Sequence, residues 1–258
     1  MKKISILLFI IAVLISTTSN AQRWKRSRYE VIYGLGATNT FTDLGGANKT
    51  ASHFIRDLEM RATRPSVFVG ARYKIKELIA IKLNIINGWV KGSDLWTTEP
   101  GRANRGITFY SPIIEMSTQI EYSIAKEHFG TRYTFSNMRR FHFQNVNTYV
   151  FTGVGGMFFS PKVKYNGVGS YQKPTSQYRT SKQKKYSKVA AVIPVGIGFK
   201  YGINRRLSLG VEFSERWTST DYLDNHSDIY SEGNDTYLFM HVYLSYKLRT
   251  ARSGLPRF

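Results

Sequence analysis

Apolar and polar residues alternate with a period of two along eight separate stretches of the chain. In the fourth stretch, Ile114, Met116 and Thr118 alternate with Glu115 and Ser117. A period of two is typical of an extended strand, because successive side chains of a strand point to opposite faces of the sheet. The eight predicted strands cover residues 29–36, 66–75, 79–86, 114–124, 147–159, 189–201, 207–214 and 237–248.

The face opposite the apolar one carries charges of both signs. These predicted inward-facing charges are Glu30, Arg72, Lys74, Lys82, Glu115, Glu121, Lys200 and Glu212. A soluble β-sandwich is the alternative fold, but its strands usually have about five or six residues. Strands of roughly 9–11 residues cross a bilayer when tilted, and their inward charges can pair inside a closed barrel. We therefore predict an all-β fold, an eight-stranded antiparallel transmembrane β-barrel with a plugged interior.

Short and long connections alternate along most of the chain, as they do between the periplasmic turns and external loops of outer-membrane barrels. The short connections lie near Lys76 and Glu77 and over residues 202–206. The long connections cover residues 38–64, 91–106, 161–188 and 218–235. Residues 125–146 occupy the place of a short periplasmic turn but are too numerous for one. We predict a strand extension or a periplasmic hairpin there.

The N-terminal residues have the pattern of a secretory signal peptide. Lys2 and Lys3 precede an apolar run over residues 4–15, and small or polar residues follow as far as Ala21. A run of this length is too short to span the roughly 30 Å core of a bilayer as a helix. We therefore predict a signal peptide at residues 1–21, a basic periplasmic N-terminus at 22–28, the outer-membrane barrel at 29–248 and a basic periplasmic tail at 249–258.

Composition narrows the possible partners. The formal net charge is +20, from 37 Lys and Arg against 17 Asp and Glu. Such an excess favours anionic partners, namely nucleic acid, lipid head groups or an acidic protein. Export to the cell envelope argues against nucleic acid, so we expect outer-membrane lipid and lipopolysaccharide as partners, and no nucleic acid. The chain has no cysteine, which excludes disulfides and a lipid-modified cysteine.

One long connection is strongly basic. Residues 161–188 contain no acidic residue and four interleaved tyrosines. The basic residues are Lys162, Lys164, Lys173, Arg179, Lys182, Lys184, Lys185 and Lys188. On the outer surface this loop could bind lipopolysaccharide or an acidic secreted partner, or it could simply be solvated. The connection over residues 218–235 has the opposite charge, but it lacks the ligand spacing of a calcium loop, so we expect no metal site.

The predicted periplasmic end is basic as well. Its residues are Arg23, Lys25, Arg26, Arg28, Arg139 and Arg140, with Trp24 among them. Basic residues beside a tryptophan at a membrane edge commonly bind lipid head groups. The functional alternative is a docking surface for a periplasmic ring protein, and the sequence leaves both open.

No catalytic signature is evident. The five histidines are His53, His128, His142, His226 and His241. His241 is predicted to face the barrel interior, with no Ser or acidic residue at a convincing partner position on its strand. The chain also lacks the glycine-flanked nucleophile, phosphate-loop and metal-binding motifs. We expect no catalytic residues, no cofactor and no enzymatic activity.

Two short segments carry a resemblance to a known family. Asp43, Leu44, Gly45 and Gly46 follow the first predicted strand, and Thr220, Asp221, Tyr222, Leu223 and Asp224 follow the seventh. With the signal peptide and the spacing of the eight strands, these segments resemble the PorG-like outer-membrane β-barrels of the type IX secretion system. The basic loop and the Arg-rich tail depart from that family.

The resemblance implies an integral outer-membrane protein that anchors or assembles a periplasmic ring. That ring consists of a lipoprotein and its partner subunit, which would be the protein partners. No catalytic residues carry over from the family. The alternative function is a small structural or surface-adhesion barrel that binds lipopolysaccharide through the basic loop.

Overall fold

The computed structural model describes residues 23–42, 60–96, 106–124, 146–165, 187–204, 206–225, 234–251 and 255–257. Ten strands lie in these ranges. They are β1 (Tyr29–Phe41), β2 (Arg64–Lys74), β3 (Ile79–Ser93), β4 (Ile107–Ser123), β5 (Val146–Phe159), β6 (Lys162–Tyr165), β7 (Val189–Gly202), β8 (Leu207–Thr218), β9 (Thr236–Thr250) and β10 (Pro256–Arg257). Three short 3₁₀ turns cover Arg23–Arg26, Met60–Ala62 and Asp94–Trp96.

Eight long strands close into a barrel. The hydrogen-bonded order is β1-β2-β3-β4-β5-β7-β8-β9, and β9 pairs in turn with β1. Every pairing is antiparallel, and the β1–β9 register runs from Tyr29 opposite Leu248 to Phe41 opposite Thr236. The predicted eight-stranded antiparallel barrel is therefore confirmed. Among the described residues, no helix is long and apolar enough to cross a membrane.

The barrel is apolar outside and charged inside. Along β3, for example, Lys82 and Asn84 are buried, whereas Leu83 and Ile85 are exposed. All eight charges predicted to face inward are buried. A soluble protein has the opposite arrangement, because exposed apolar surface in water is unfavourable. Lipid covers this exterior, and the protein is an integral outer-membrane barrel. Barrels of this kind in general keep their short turns on the periplasmic side, and the two ends are named periplasmic and external on that basis.

The external ends of several strands extend further than the sequence predicted. β4 begins at Ile107 rather than at residue 114, and β6 pairs with this extension, so that Lys162 lies opposite Tyr110. Lys162 and Lys164 therefore belong to a strand, and their assignment to a loop was wrong. Val163 between them is buried, so the period of two continues past Phe159. Lys162 is exposed and Lys164 is half-buried.

Glycines make room for the large rings of the interior. Gly198 lies opposite Tyr149, and Gly210 lies opposite Tyr243. A methyl group at either glycine would collide with the facing tyrosine ring. This close approach explains why small and aromatic residues occupy paired positions on neighbouring strands.

Candidate functional site

The periplasmic half of the interior holds a network centred on Glu30. Its carboxylate accepts hydrogen bonds from Arg72 Nη1 at 2.8 Å and from Ser245 Oγ at 2.8 Å. Lys74 Nζ lies 3.3 Å from Glu30 Oε1, and Lys200 Nζ reaches the same oxygen from across the barrel, also at 3.3 Å. One carboxylate thus joins three separate strands, β2, β7 and β9, to β1.

A second group of charges continues this network toward the middle of the barrel. Arg72 also contacts Glu121, with Nε 2.5 Å from Oε2. Lys82 Nζ lies 3.1 Å from Glu121 Oε1 and 2.6 Å from Glu212 Oε1. Tyr149 donates a hydrogen bond to Glu212 at 2.6 Å. Each of these ion pairs joins two different strands, so removing one partner would leave an opposite charge buried without its counter-charge.

A smaller ion-pair group lies nearer the external end. Glu115 Oε2 accepts hydrogen bonds from Arg216 Nε at 3.3 Å and from Tyr237 Oη at 2.9 Å. Arg216 also donates to Ser214 and stacks over the Phe239 ring, with 4.6 Å between the guanidinium carbon and the ring centroid. This arrangement satisfies the buried guanidinium with a carboxylate, a hydroxyl and an aromatic face.

An apolar cluster lies at the external end of the interior and includes a residue of the turn after β8. Leu223 is fully buried and belongs to the same apolar cluster as Val90, Phe109 and Phe159. Its backbone N–H donates to Asp235 Oδ2 at 2.8 Å, which ties the turn to the start of β9. The segment Thr220–Asp224, noted for its resemblance, therefore forms a folded cap over the barrel. Asp43–Gly46 lies outside the described residues.

His241 has a serine partner that the sequence reasoning missed. Ser66 Oγ, on β2, lies 3.3 Å from His241 Nε2. Both residues lie opposite Gly36 of β1, which leaves space for them to meet. The sequence analysis considered only the strand of His241 itself, whereas this partner comes from a strand that is distant in the chain. Phe68 and Phe239 pack against the imidazole, with ring centroids 4.6 and 4.9 Å away, so this buried pair packs the interior.

The predicted periplasmic basic residues that the structure describes lie directly before the start of β1. Lys25 and Arg26 are exposed, and the Arg28 guanidinium lies over the Trp24 ring at 4.9 Å from its centroid. The Arg23 backbone belongs to the same 3₁₀ turn. Arg139 and Arg140 lie outside the described residues. Of the predicted external basic loop, Lys188 is described and exposed, whereas residues 173–185 lie outside the described ranges.

Two buried basic residues were absent from the predicted inward-facing charges. Arg216 and Lys247 both lie in the barrel interior. The alternation of residues could have predicted that both face inward. Arg216 continues the period of two set by Glu212 and Ser214, and Lys247 continues that of Tyr243 and Ser245. In the described part of the chain, no group of three or more His, Cys, Asp or Glu residues could hold a metal ion.

Several solved outer-membrane barrels are similar in shape. Ail of Yersinia pestis, solved with the heparin analogue sucrose octasulfate, is 9% identical, with 86% of this chain and 99% of Ail covered and a TM-score of 0.43. OprG of Pseudomonas aeruginosa is 12% identical, with 86% and 96% covered and a TM-score of 0.40. The outer-membrane enzyme PagL is 11% identical, with 84% and 98% covered and a TM-score of 0.34. The barrel assignment rests on the strand pairing, not on these likenesses.

Sequence comparison gives the family. No curated protein matches the chain. Residues 4–249 match the family described as "Domain of unknown function (DUF6089)", which spans nearly the whole chain. The protein therefore belongs to the DUF6089 family, and its described residues form an outer-membrane β-barrel.

Proposed function

We propose that this protein is a non-enzymatic component of the type IX protein secretion machinery that anchors or assembles the periplasmic ring at the outer membrane. The observation that carries the proposal is the interior ion-pair network. Arg72 and Glu30 tie neighbouring strands together, and Lys200 reaches Glu30 across the barrel. An interior in which ion pairs join the strands is suited to a rigid anchor, because a rigid barrel can hold a bound partner in a fixed position.

The periplasmic end supports the same proposal. The described residues Lys25 and Arg26 project there as exposed cations, and Arg28 is held against Trp24. Exposed positive charge steers and orients an acidic partner. The family resemblance supplies the identity of that partner, a ring lipoprotein with its partner subunit.

Co-purification tests the anchoring role. We expect the affinity-tagged protein, extracted from outer membranes, to retain the ring lipoprotein and its partner subunit. Glutamate at Arg23, Lys25, Arg26, Arg139 and Arg140 should reduce their recovery about tenfold or more, because like charges then face an acidic partner. A control variant with glutamate at Lys162 and Lys188, on the external side, should leave recovery unchanged. Equal recovery with both variants would reject periplasmic docking.

An adhesion barrel that binds lipopolysaccharide is the second candidate. It is favoured by Lys162 and Lys188, two basic side chains exposed at the external end. This function predicts that the external variant loses lipopolysaccharide binding while ring recovery never occurs. The same pair of variants therefore separates the two functions.

We also propose that the barrel does not conduct ions. Side chains such as Tyr149, Tyr243 and Phe68 fill its middle, and Leu223 lies in the apolar cluster at its external end. Eight-stranded barrels are in general just wide enough for side chains to fill. Planar-bilayer recordings of the purified protein should show no stable current. A steady conductance that disappears on heat denaturation would instead indicate a pore.

A further inference from the structure

Five outward-facing tyrosines mark the periplasmic edge of the barrel wall. They lie near the periplasmic ends of their strands, and each is half-buried or exposed. The five are Tyr29, Tyr73, Tyr122, Tyr201 and Tyr246. Tyrosines in such a belt lie at the level of the lipid head groups, because the ring is apolar and the hydroxyl is polar. Side chains that contact these hydroxyls therefore lie among the head groups of the periplasmic leaflet.

Arg28 is held at this level by three contacts. Its Nη1 donates a hydrogen bond to the Tyr73 hydroxyl at 3.3 Å, and its guanidinium carbon lies 4.9 Å from the centroid of the Trp24 ring. Its backbone N–H donates to Thr250 Oγ1 at 3.4 Å. The Tyr73 ring in turn packs against Tyr29, with 5.0 Å between the ring centroids. Arg28, Trp24 and Tyr73 thus form one assembled group, the Arg28 cluster.

The guanidinium of this cluster has a donor without an acceptor. Arg28 Nε is buried and makes no hydrogen bond with any described residue, whereas Nη1 contacts Tyr73. A buried N–H that lacks an acceptor is unfavourable. A guanidinium offers its N–H groups as a planar fork, which matches two oxygens of a phosphate or a carboxylate. At the level of the head groups, the phosphate of a phospholipid is the anion within reach.

The charges around Trp24 favour an anionic phospholipid over a zwitterionic one. Lys25 Nζ lies 5.9 Å from the centroid of the same ring that Arg28 covers. A zwitterionic head group carries an ammonium of its own, which these two cations repel. The head group of phosphatidylglycerol carries a phosphate and no cation, so it gains the attraction without that repulsion.

Arg206 offers a comparison on the same edge of the wall. Its Nη1 also donates to a belt tyrosine, Tyr246, at 3.3 Å. Arg206 is exposed, however, whereas Arg28 is half-buried. Among the described residues, only Arg28 of these two arginines lies over an aromatic ring. The structure therefore distinguishes a guanidinium that is fixed in place from one that water surrounds.

We propose that the Arg28 cluster is a binding site for the phosphate of an anionic phospholipid in the periplasmic leaflet. Arg28 would bind the phosphate oxygens, while Trp24 and Tyr73 hold the guanidinium in position. The bound lipid would fix the segment before β1 against the membrane surface. This inference does not rest on the secretion role, and Arg28 is not changed in the co-purification variant, so either experiment can fail without the other.

Native mass spectrometry of the purified full barrel in non-ionic detergent tests the proposal. The probes are phosphatidylglycerol and phosphatidylethanolamine with identical acyl chains. We expect phosphatidylglycerol to bind at least about fivefold more tightly than phosphatidylethanolamine. Arg28→Gln should weaken phosphatidylglycerol binding about fivefold or more, because it removes a charge-assisted hydrogen-bond donor. Arg206→Gln undergoes the same chemical change beside a belt tyrosine and should bind within about twofold of wild type.

A second measurement does not depend on the folding of any variant. In wild-type barrel, titration with short-chain phosphatidylglycerol should shift the NMR signals of the Arg28 guanidinium and the Trp24 indole, and spare those of Arg206. Equal weakening by Arg28→Gln and Arg206→Gln would overturn the proposal, in favour of general attraction to the membrane edge. Unchanged lipid binding by Arg28→Gln, with recovery of a periplasmic protein lost instead, would assign the cluster to protein docking and would overturn it too.

Discussion

The Glu30→Gln variant should be strongly destabilised, by about 3–5 kcal/mol. The change preserves the shape of the side chain but removes the carboxylate that Arg72, Lys74 and Lys200 share. Those cations remain buried with one fewer opposing charge, and their lost hydration is no longer compensated. Denaturant unfolding of the barrel in lipid vesicles, followed by tryptophan fluorescence, measures the free energy of unfolding.

Glu77→Gln is the matched control for this prediction. Glu77 is exposed in the β2–β3 turn and undergoes the same chemical change, so its effect should stay within about 0.5 kcal/mol. Adding Lys200→Met to Glu30→Gln should restore part of the stability, because it removes one of the buried cations that Glu30 contacts in the wild-type protein. Equal stability of the Glu30 and Glu77 variants would show that the interior network is not essential to the fold.

Arginine on the lipid-facing surface should be nearly as damaging. Ile85 lies mid-strand on β3, 52% exposed, with Val69 and Met116 as its cross-strand neighbours. Ile85→Arg places a charge in the hydrocarbon region, where it costs about 2–4 kcal/mol at the bilayer midplane. The same vesicle-based unfolding experiment measures this loss.

Ile203 provides a control of the same residue type and nearly the same exposure. It is 51% exposed in the turn between β7 and β8, at the periplasmic edge. Near the interface an arginine costs roughly 0–1 kcal/mol, so Ile203→Arg should be well tolerated. If both variants lost equally little stability, water rather than lipid would be covering the exterior at Ile85.

Much of the interior network could be predicted from the sequence. Period-two alternation identified Glu30, Arg72, Lys82 and Glu212 as inward-facing residues, because the direction of a side chain in a strand depends only on its parity. The same rule would have found Arg216 and Lys247 had the seventh strand been extended and every charge on the eighth counted. The omission of Arg216 concerns strand length, because the predicted seventh strand ended at Ser214. Lys247 lay inside the predicted eighth strand and was not counted among the inward charges.

The partners of these residues could not be predicted in the same way. Ser66 meets His241 because β1 brings β2 and β9 to either side of Gly36. Lys200 contacts Glu30 because closure of the barrel places β7 across the interior from β1. Both contacts join residues far apart in the chain, and no local pattern records them.

The cap and the short strand β6 also combine a feature that is visible in the sequence with one that only the tertiary structure decides. Thr220–Asp224 stood out in the sequence, but its burial over the external end depends on the apolar cluster around Phe109 and Phe159. Lys162 and Lys164 looked like loop residues by composition, whereas pairing with the start of β4 makes them strand residues. The amino-acid composition of a segment indicates how well water solvates it. Composition does not indicate which neighbouring strand forms hydrogen bonds with that segment.

The sequence by itself determined the strands, their two faces and the sign of the charges turned inward, because alternation along a strand is a local property. The tertiary structure alone decided which charges pair and how the external end is covered. Those features depend on register and closure, which bring together residues from strands that are distant in the chain.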